Sequence, residues 1–332
     1  MNTQSFPTLQ DVIRARKHVY RYLKPTPLYP YAGLSDLMGA EVWVKHENHQ
    51  PVGAFKIRGG LNLAATLPAA QKQAGLITAS TGNHGQSIAL AGQLHNVPVT
   101  VAMPEGANPG KVAAIRSFGA ETVFVGKDFD EARMWAQEEA DRSGARFVGP
   151  AEFPLICGVG TYALEIIHDL PDVECIIVPV GGGSGAAGVC TVVKAINPAI
   201  EVIAVQSAQA PAAQRAWQTG QLVGAEMHTF AEGLATRVPF DLPIRILRRH
   251  LDDFILVDDE EIREAIRLYL EYTHNLAEGA GAASLAAALK LKPRLRGKKV
   301  VLVLSGGNLG IGKLRQILAT NEGSVIAGER SN

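Results

Sequence analysis

The stretch Cys175-Ile-Ile-Val-Pro-Val-Gly-Gly-Gly-Ser-Gly185 decides the fold. Residues 175–180 form an unbroken apolar run of strand length, the glycines make a turn, and an Ala/Val-rich helical segment follows. A strand with no polar alternation belongs in a sheet covered on both faces, and strand, turn and helix are its repeating unit. The pattern extends both ways. Strands are predicted at residues 42–45, 76–79, 97–103, 122–125, 175–180, 202–205, 254–257 and 300–304. Helical spacing lies between them, at 84–94, 129–141, 161–169 and 258–274, the last opening with Asp258 and Glu261 in capping-box spacing. This is an α/β protein. The strands from Leu76 to about Val148 group as a small sheet and those from Cys175 onward as a larger one. The expected division is a large domain of residues 1–74 and 149–332 and a small domain of 75–148, with a cleft between the two lobes. No internal repeat is visible, and no separate C-terminal regulatory domain is expected.

Charge and composition narrow the function. Lys+Arg and Asp+Glu stand at 32 each, a balance that offers nothing to nucleic acid or an anionic membrane surface. A 47% hydrophobic content fits a globular chain with a large core. The cysteines Cys157, Cys175 and Cys190 are odd in number and form no CxxC pair, which argues against a disulfide framework or zinc site and for a reducing compartment. No basic run leads into an apolar leader at the N-terminus, and no apolar stretch is long enough to span a bilayer. The expectation is a cytoplasmic enzyme acting on a small molecule, with no nucleic-acid or membrane partner and no metal.

Chemistry enters with Pro51-Val-Gly-Ala-Phe-Lys-Ile-Arg-Gly-Gly60. Lys56 lies between Phe55 and Ile57 at the expected first turn of a helix, where apolar neighbours and the helix dipole both disfavour an ammonium. A lysine with a depressed pKa is the usual source of an amine nucleophile for a Schiff base. Three glycine-rich turns each follow an apolar strand, at the sheet edge where α/β proteins bind ligands. Ala79-Ser-Thr-Gly-Asn-His-Gly85 offers backbone and hydroxyl donors to an anion, beyond the single helix cap that Ser80 or Asn83 would supply. The turn after residue 180 suits a phosphate. Gly183, Gly185 and Gly188 also fit GxGxxG, the dinucleotide fingerprint, but the next strand ends in Gln206 and Ser207 rather than in a ribose-binding acid. In Leu304-Ser-Gly-Gly-Asn308 a serine hydroxyl at a strand end is placed to meet a ring nitrogen. An activated lysine, a phosphate cup and a ring-nitrogen partner together describe a site for pyridoxal 5'-phosphate.

With these motifs in this order, the chain resembles the serine/threonine dehydratase and serine racemase family of fold type II pyridoxal-phosphate enzymes. The resemblance runs from Pro25-Thr-Pro-Leu28 to Ser305-Gly-Gly-Asn308. It implies two lobes, each a mostly parallel sheet flanked by helices, with the active site in the cleft. It implies that Lys56 carries the cofactor and acts as base at the substrate Cα. Phe55 would lie against the pyridine ring and Asn83 bond its 3′-oxygen. Gly181, Gly182, Gly183, Ser184 and Gly185 would bind the phosphate, and Ser305 the ring nitrogen. Ser80, Thr81, Gly82, Asn83 and His84 would surround the substrate carboxylate, and Glu278 would stand near the ring. The implied activity is loss of water from a β-hydroxy amino acid such as L-threonine or L-serine, giving the 2-oxo acid and ammonia. The implied assembly is a homodimer.

Departures from the family bear on substrate. Its Thr-Gly-Ser before Phe-Lys is here Val52-Gly53-Ala54, its Ala-Gly-Gln-Gly-Thr is Cys157-Gly-Val-Gly-Thr161, and its metal-binding acid is Gln206. A hydroxy amino acid such as hydroxyaspartate is therefore an alternative substrate, and racemisation an alternative activity. Racemisation needs an acid/base opposite Lys56, where the family's racemases hold serine and this chain holds Thr81. A nicotinamide-dependent oxidoreductase and a non-catalytic binding protein are the readings from other classes. The acid-free strand end opposes the first, and intact Lys56 the second.

Overall fold

The computed structural model describes residues 5–319. In chain order its strands are β1 (Leu28–Pro30), β2 (Glu41–His46), β3 (Leu76–Ala79), β4 (Val99–Met103), β5 (Glu121–Phe124), β6 (Arg146–Phe147), β7 (Cys175–Pro179), β8 (Glu201–Ser207), β9 (Asp253–Val257) and β10 (Lys299–Leu304). The larger sheet has the order β1-β2-β10-β7-β8-β9, parallel except for β1. The smaller has the order β5-β4-β3-β6 and is parallel throughout. Parallel sheets with helices on their faces are what the apolar strands predicted.

Burial explains the pattern. Strand side chains alternate between faces. On one face of the larger sheet Ile176, Val178, Val202, Val301 and Val303 pack with Ala186, Val189 and Ile166 from helices. On the other, Cys175, Ile177, Ile203, Val300 and Leu302 pack with Ala282, Leu285, Ile262 and Ile266. Both faces of the central strands are covered, so their middle positions are apolar and polar residues fall at strand ends, such as Lys45 and Gln206. Each such Val, Ile or Leu contributes about 1.5–3 kcal/mol by leaving water.

The differences from expectation are local. β4 begins at Val99 rather than residue 97, because Pro98 has no N–H to give the ladder. β1 and β6 were not predicted: β1 is a short edge strand containing Pro30, and β6 has only two residues, too few for any periodic signal. The helix Asp259–Thr273 has the predicted capping box. Asp258 accepts from Glu261 N at 2.8 Å, and Glu261 accepts from Asp258 N at 2.7 Å. The helix Lys56–Thr66 packs Leu63, and Leu67 just past its end, into the core of the smaller sheet, while Ile57 and Leu61 meet Val19, Val52 and Leu90.

A charged cluster that the sequence reading missed lies behind that helix. Arg58, Lys45 and Glu47 are fully buried and Glu165 nearly so. The Arg58 guanidinium donates to Glu47 through Nε and Nη2 (2.7 and 2.8 Å) and to Glu165 through Nη1 and Nη2 (2.6 and 2.9 Å). Lys45 Nζ donates to Glu165 at 2.6 Å and to the Thr26 carbonyl at 2.7 Å. Two cations therefore face two carboxylates. The clue was charge at the end of an apolar strand (Lys45) and within an apolar helix (Glu165).

Candidate active site

The loops after β3, β7 and β10 converge on the start of the helix Lys56–Thr66. Ala54 bridges Gly306, and Phe55 N donates to the Ser305 carbonyl at 3.1 Å, so the lysine loop lies against the end of β10. The Lys56 carbonyl accepts from Ser87 Oγ at 2.7 Å, which ties the first turn to the helix Asn83–His95.

Lys56 Nζ donates to the Pro150 carbonyl and to Ser184 Oγ, both at 3.1 Å, and stands 5.3 Å from the Phe55 ring centroid. By area the residue is half-buried, but its amine sits among dense protein atoms with no carboxylate partner, and that desolvation pushes its pKa down to about 8. This is the amine that the sequence predicted. Ser184 begins the helix Ser184–Ile196, whose first N–H groups have no intrahelical acceptor. Gly183 precedes it at φ +86°, a conformation suited to glycine.

The glycine loop is packed for reasons the sequence did not show. A Cβ on Gly183 would meet Pro243 Cβ at 2.7 Å. At Gly181 a Cβ would collide with the Gly233 carbonyl oxygen, backbone against backbone. At Gly182 it would make only ordinary contacts, 3.6 Å from Pro150 and Phe240. At Gly185 it would reach 3.5 Å from the Phe55 ring, which therefore borders the loop.

Asn83 Nδ2 donates to Glu278 Oε1 at 2.7 Å, and Asn83 Oδ1 accepts from Asn308 Nδ2 at 2.7 Å. Asn308 also donates to the Val52 carbonyl at 2.8 Å. Asn308 was absent from the predicted site residues, though it ends the predicted third turn. Burial pushes the Glu278 carboxyl up to about 7 against the pull of the Asn83 amide. Between its ordinary 4.5 and about 7 the folded protein keeps a proton that the unfolded chain gives up. Stability of the cofactor-free protein from this group therefore falls as pH rises through that window. Glu278→Gln is expected to remove that slope in a series of melts from pH 4.5 to 7; an unchanged slope would refute the assignment.

Ser80 Oγ accepts from Gly82 N at 3.1 Å and Gly85 N at 3.0 Å, organising the turn. His84 is buried, its pKa pushed down to about 3 chiefly by desolvation and next by Lys56, and its Nε2 lies 3.3 Å from the Val148 carbonyl. It is a neutral imidazole rather than a cation. Thr81 lies on the same turn. Ser305 is buried, and its carbonyl accepts from Phe55 N. Gln206 accepts from Gln214 N at 3.0 Å, and its amide nitrogen is buried without a partner. Among the described residues no helix is long and apolar enough to cross a membrane.

A desolvated amine with no carboxylate partner, beside a helix start with an enclosed glycine loop, and a buried serine at the end of β10 fit an aldehyde cofactor with a phosphate and a ring nitrogen. The chain belongs to the pyridoxal-phosphate-dependent enzyme family, whose model matches residues 19–306. It is 39% identical to the L-threonine ammonia-lyase of Thermotoga maritima over 97% of this chain and 80% of that one. Its fold is similar to the processed form of threonine deaminase isoform 2 from Solanum lycopersicum, with a TM-score of 0.90, 32% identity, and 95% and 92% of the two chains covered. It is also similar to maize serine racemase, with a TM-score of 0.89, 29% identity, and 95% and 98% covered. The cofactor is pyridoxal phosphate, as the residues predicted.

Proposed function

We propose that this chain is a dehydratase that takes L-threonine or L-serine to the 2-oxo acid and ammonia, with Lys56 as the cofactor-bearing lysine and the base at Cα. The observation that carries the reading is the Lys56 amine, free of any carboxylate and 3.1 Å from Ser184 at the head of the glycine loop. The names of the similar threonine enzymes support the substrate class. Phe55, Asn83, Glu278, Ser305 and the loop Gly181–Gly182–Gly183–Ser184–Gly185 would hold the cofactor with Lys56. Bound there, pyridoxal phosphate supplies an electron sink that acidifies the substrate Cα–H.

The protein's part is to place groups and move a proton. With a pKa of about 8, roughly a tenth of Lys56 is neutral at pH 7, enough for an amine to accept the Cα proton. Ser80 already takes the N–H groups of Gly82 and Gly85, which leaves those of Asn83 and His84, with the Ser80 hydroxyl proton, to hold the substrate carboxylate. Neutral His84 adds no charge there, so the carboxylate is held by dipoles. Ser305, a neutral donor, would bond the ring nitrogen without forcing a proton onto it, which would favour elimination over slower exchange reactions. The same reading takes residues 1–74 and 149–332 as a large domain and 75–148 as a small one, in a cytoplasmic homodimer. Keto-acid release measured across threonine, serine and hydroxyaspartate isomers tests the assignment; no release from any of them would defeat it.

The similarity to maize serine racemase gives a second reading. Thr81 keeps the hydroxyl that returning a proton to the other face of Cα would use, but its extra methyl restricts χ1. Elimination needs only Lys56. On L-serine, pyruvate is therefore expected to outrun D-serine clearly, and Thr81→Ser to raise the D-serine share. Equal rates of the two products from the unaltered protein would reverse the ranking.

A further inference from the structure

Resting on the reading that Lys56 carries the cofactor, we propose that Arg58 is a positioning residue for it: the guanidinium, forked between Glu47 and Glu165 on the back of the lysine helix, sets where the Lys56 amine stands. Residues two apart on an α-helix point about 200° from one another. Lys56 reaches Ser184 and Pro150, and Arg58 reaches the opposite way into the buried cluster.

The backbone of the helix start is tied to Ser305 and Ser87, but those bonds leave its far side to be held by side chains. Phe55 occupies its N-cap position and no side chain caps it. The next residues are Gly59 and Gly60, and a Cβ there would crowd the Leu155 backbone (2.9 Å) or Ser87 Oγ (2.6 Å), so close approach has excluded side chains. Ile57 packs this turn against Val19, Val52 and Leu90 without direction, and Arg58 is the side chain that adds directional bonds. A planar fork on two carboxylates fixes rotation about the helix axis as well as position, which an ammonium on one carboxylate does not.

The two carboxylates come from separate elements. Glu47 follows β2, where Thr26 Oγ1 holds it at 2.5 Å, and Glu165 lies in the helix Thr161–Asp169, where Lys45 and Tyr20 hold it at 2.6 and 2.7 Å. The helix is thus referred at once to the larger sheet and to a covering helix. The cluster is shielded from solvent and takes no part in recognition. Buried ion clusters are seldom more stable than apolar packing of the same volume, and defining a unique geometry is the use such a cluster has.

The test uses the full-length holoenzyme and Arg58→Lys, which keeps the charge and loses the fork. A displacement of about 1 Å at a reacting group lowers rate by roughly 100-fold, so kcat for keto-acid release should fall 10- to 100-fold with KM within about twofold. The visible band of bound pyridoxal phosphate should shift, and borohydride should trap less of it on Lys56 at a fixed time. Glu47→Gln, which keeps shape and hydrogen-bonding capacity, should show the same split more weakly, and it decides the matter if Arg58→Lys does not fold. Unaltered kcat and trapping in the folded variant, or a kcat that merely follows the folded fraction, would overturn the proposal. Absence of trapping and keto-acid release in the unaltered protein would instead defeat the activity reading itself, and the proposal with it.

Discussion

Lys56→Ala is expected to lower turnover by roughly 10⁴-fold or more while leaving the cofactor-free protein folded. The loss follows from geometry: no other described lysine stands at the glycine loop, where Lys56 Nζ lies 3.1 Å from Ser184 Oγ. Binding of pyridoxal phosphate should become wholly non-covalent, so borohydride followed by peptide mapping should label nothing in the variant and Lys56 in the parent. A label on another lysine would overturn the assignment. The variant also has a stability signature. Burial takes the Lys56 pKa from its ordinary 10.5 to about 8, so between those values the unfolded chain binds a proton that the folded protein has released. Stability of the cofactor-free parent from this group therefore rises with pH through that window, and the slope should vanish in Lys56→Ala. At neutral pH the buried ammonium opposes folding, so the variant should melt within about 5 °C of the parent despite losing a long side chain.

Gly181→Ala should weaken cofactor binding by roughly 10- to 100-fold and lower the melting temperature as well. Its Cβ would enter the space of the Gly233 carbonyl oxygen. That carbonyl cannot retreat easily, because Leu234 beside it is fully buried and Gly233 itself is pressed against Ala280. The glycine loop must move instead, taking its N–H groups away from the phosphate. Gly182→Ala is the contrasting experiment. A Cβ there meets nothing closer than 3.6 Å, so the cofactor-free fold should be unchanged. Any fall in cofactor affinity then reports on the space a bound phosphate occupies. Titrating cofactor-free protein with pyridoxal phosphate, alongside thermal melts, separates the two effects. Tight binding by Gly181→Ala would show that the loop does not form the phosphate cup.

What the sequence by itself determined was whatever rests on near neighbours in the chain. Apolar runs without alternation meant doubly covered strands, the Asp258–Glu261 spacing meant a helix start, and glycines after strands meant tight turns into helices. Lys56 was legible as a candidate from its apolar neighbours in the chain, but the desolvation that lowers its pKa comes from burial in the fold, beside Pro150 and Ser184. Other properties depend on partners far along the chain. Asn83 meets Glu278 across 195 residues, and Arg58 meets Glu165 across 107, with no local pattern to announce either pairing. Whether a Cβ at Gly181, Gly182 or Gly183 is tolerated depends on Gly233, Phe240 and Pro243, which reach the loop only through the fold. The strand order β1-β2-β10-β7-β8-β9 was equally hidden, since parallel neighbours are joined through helices and not through turns. That order sets Ser305 beside Phe55 and so assembles the site. Local patterning chose the elements and singled out Lys56; long-range packing decided which groups stand around it and hold it in place.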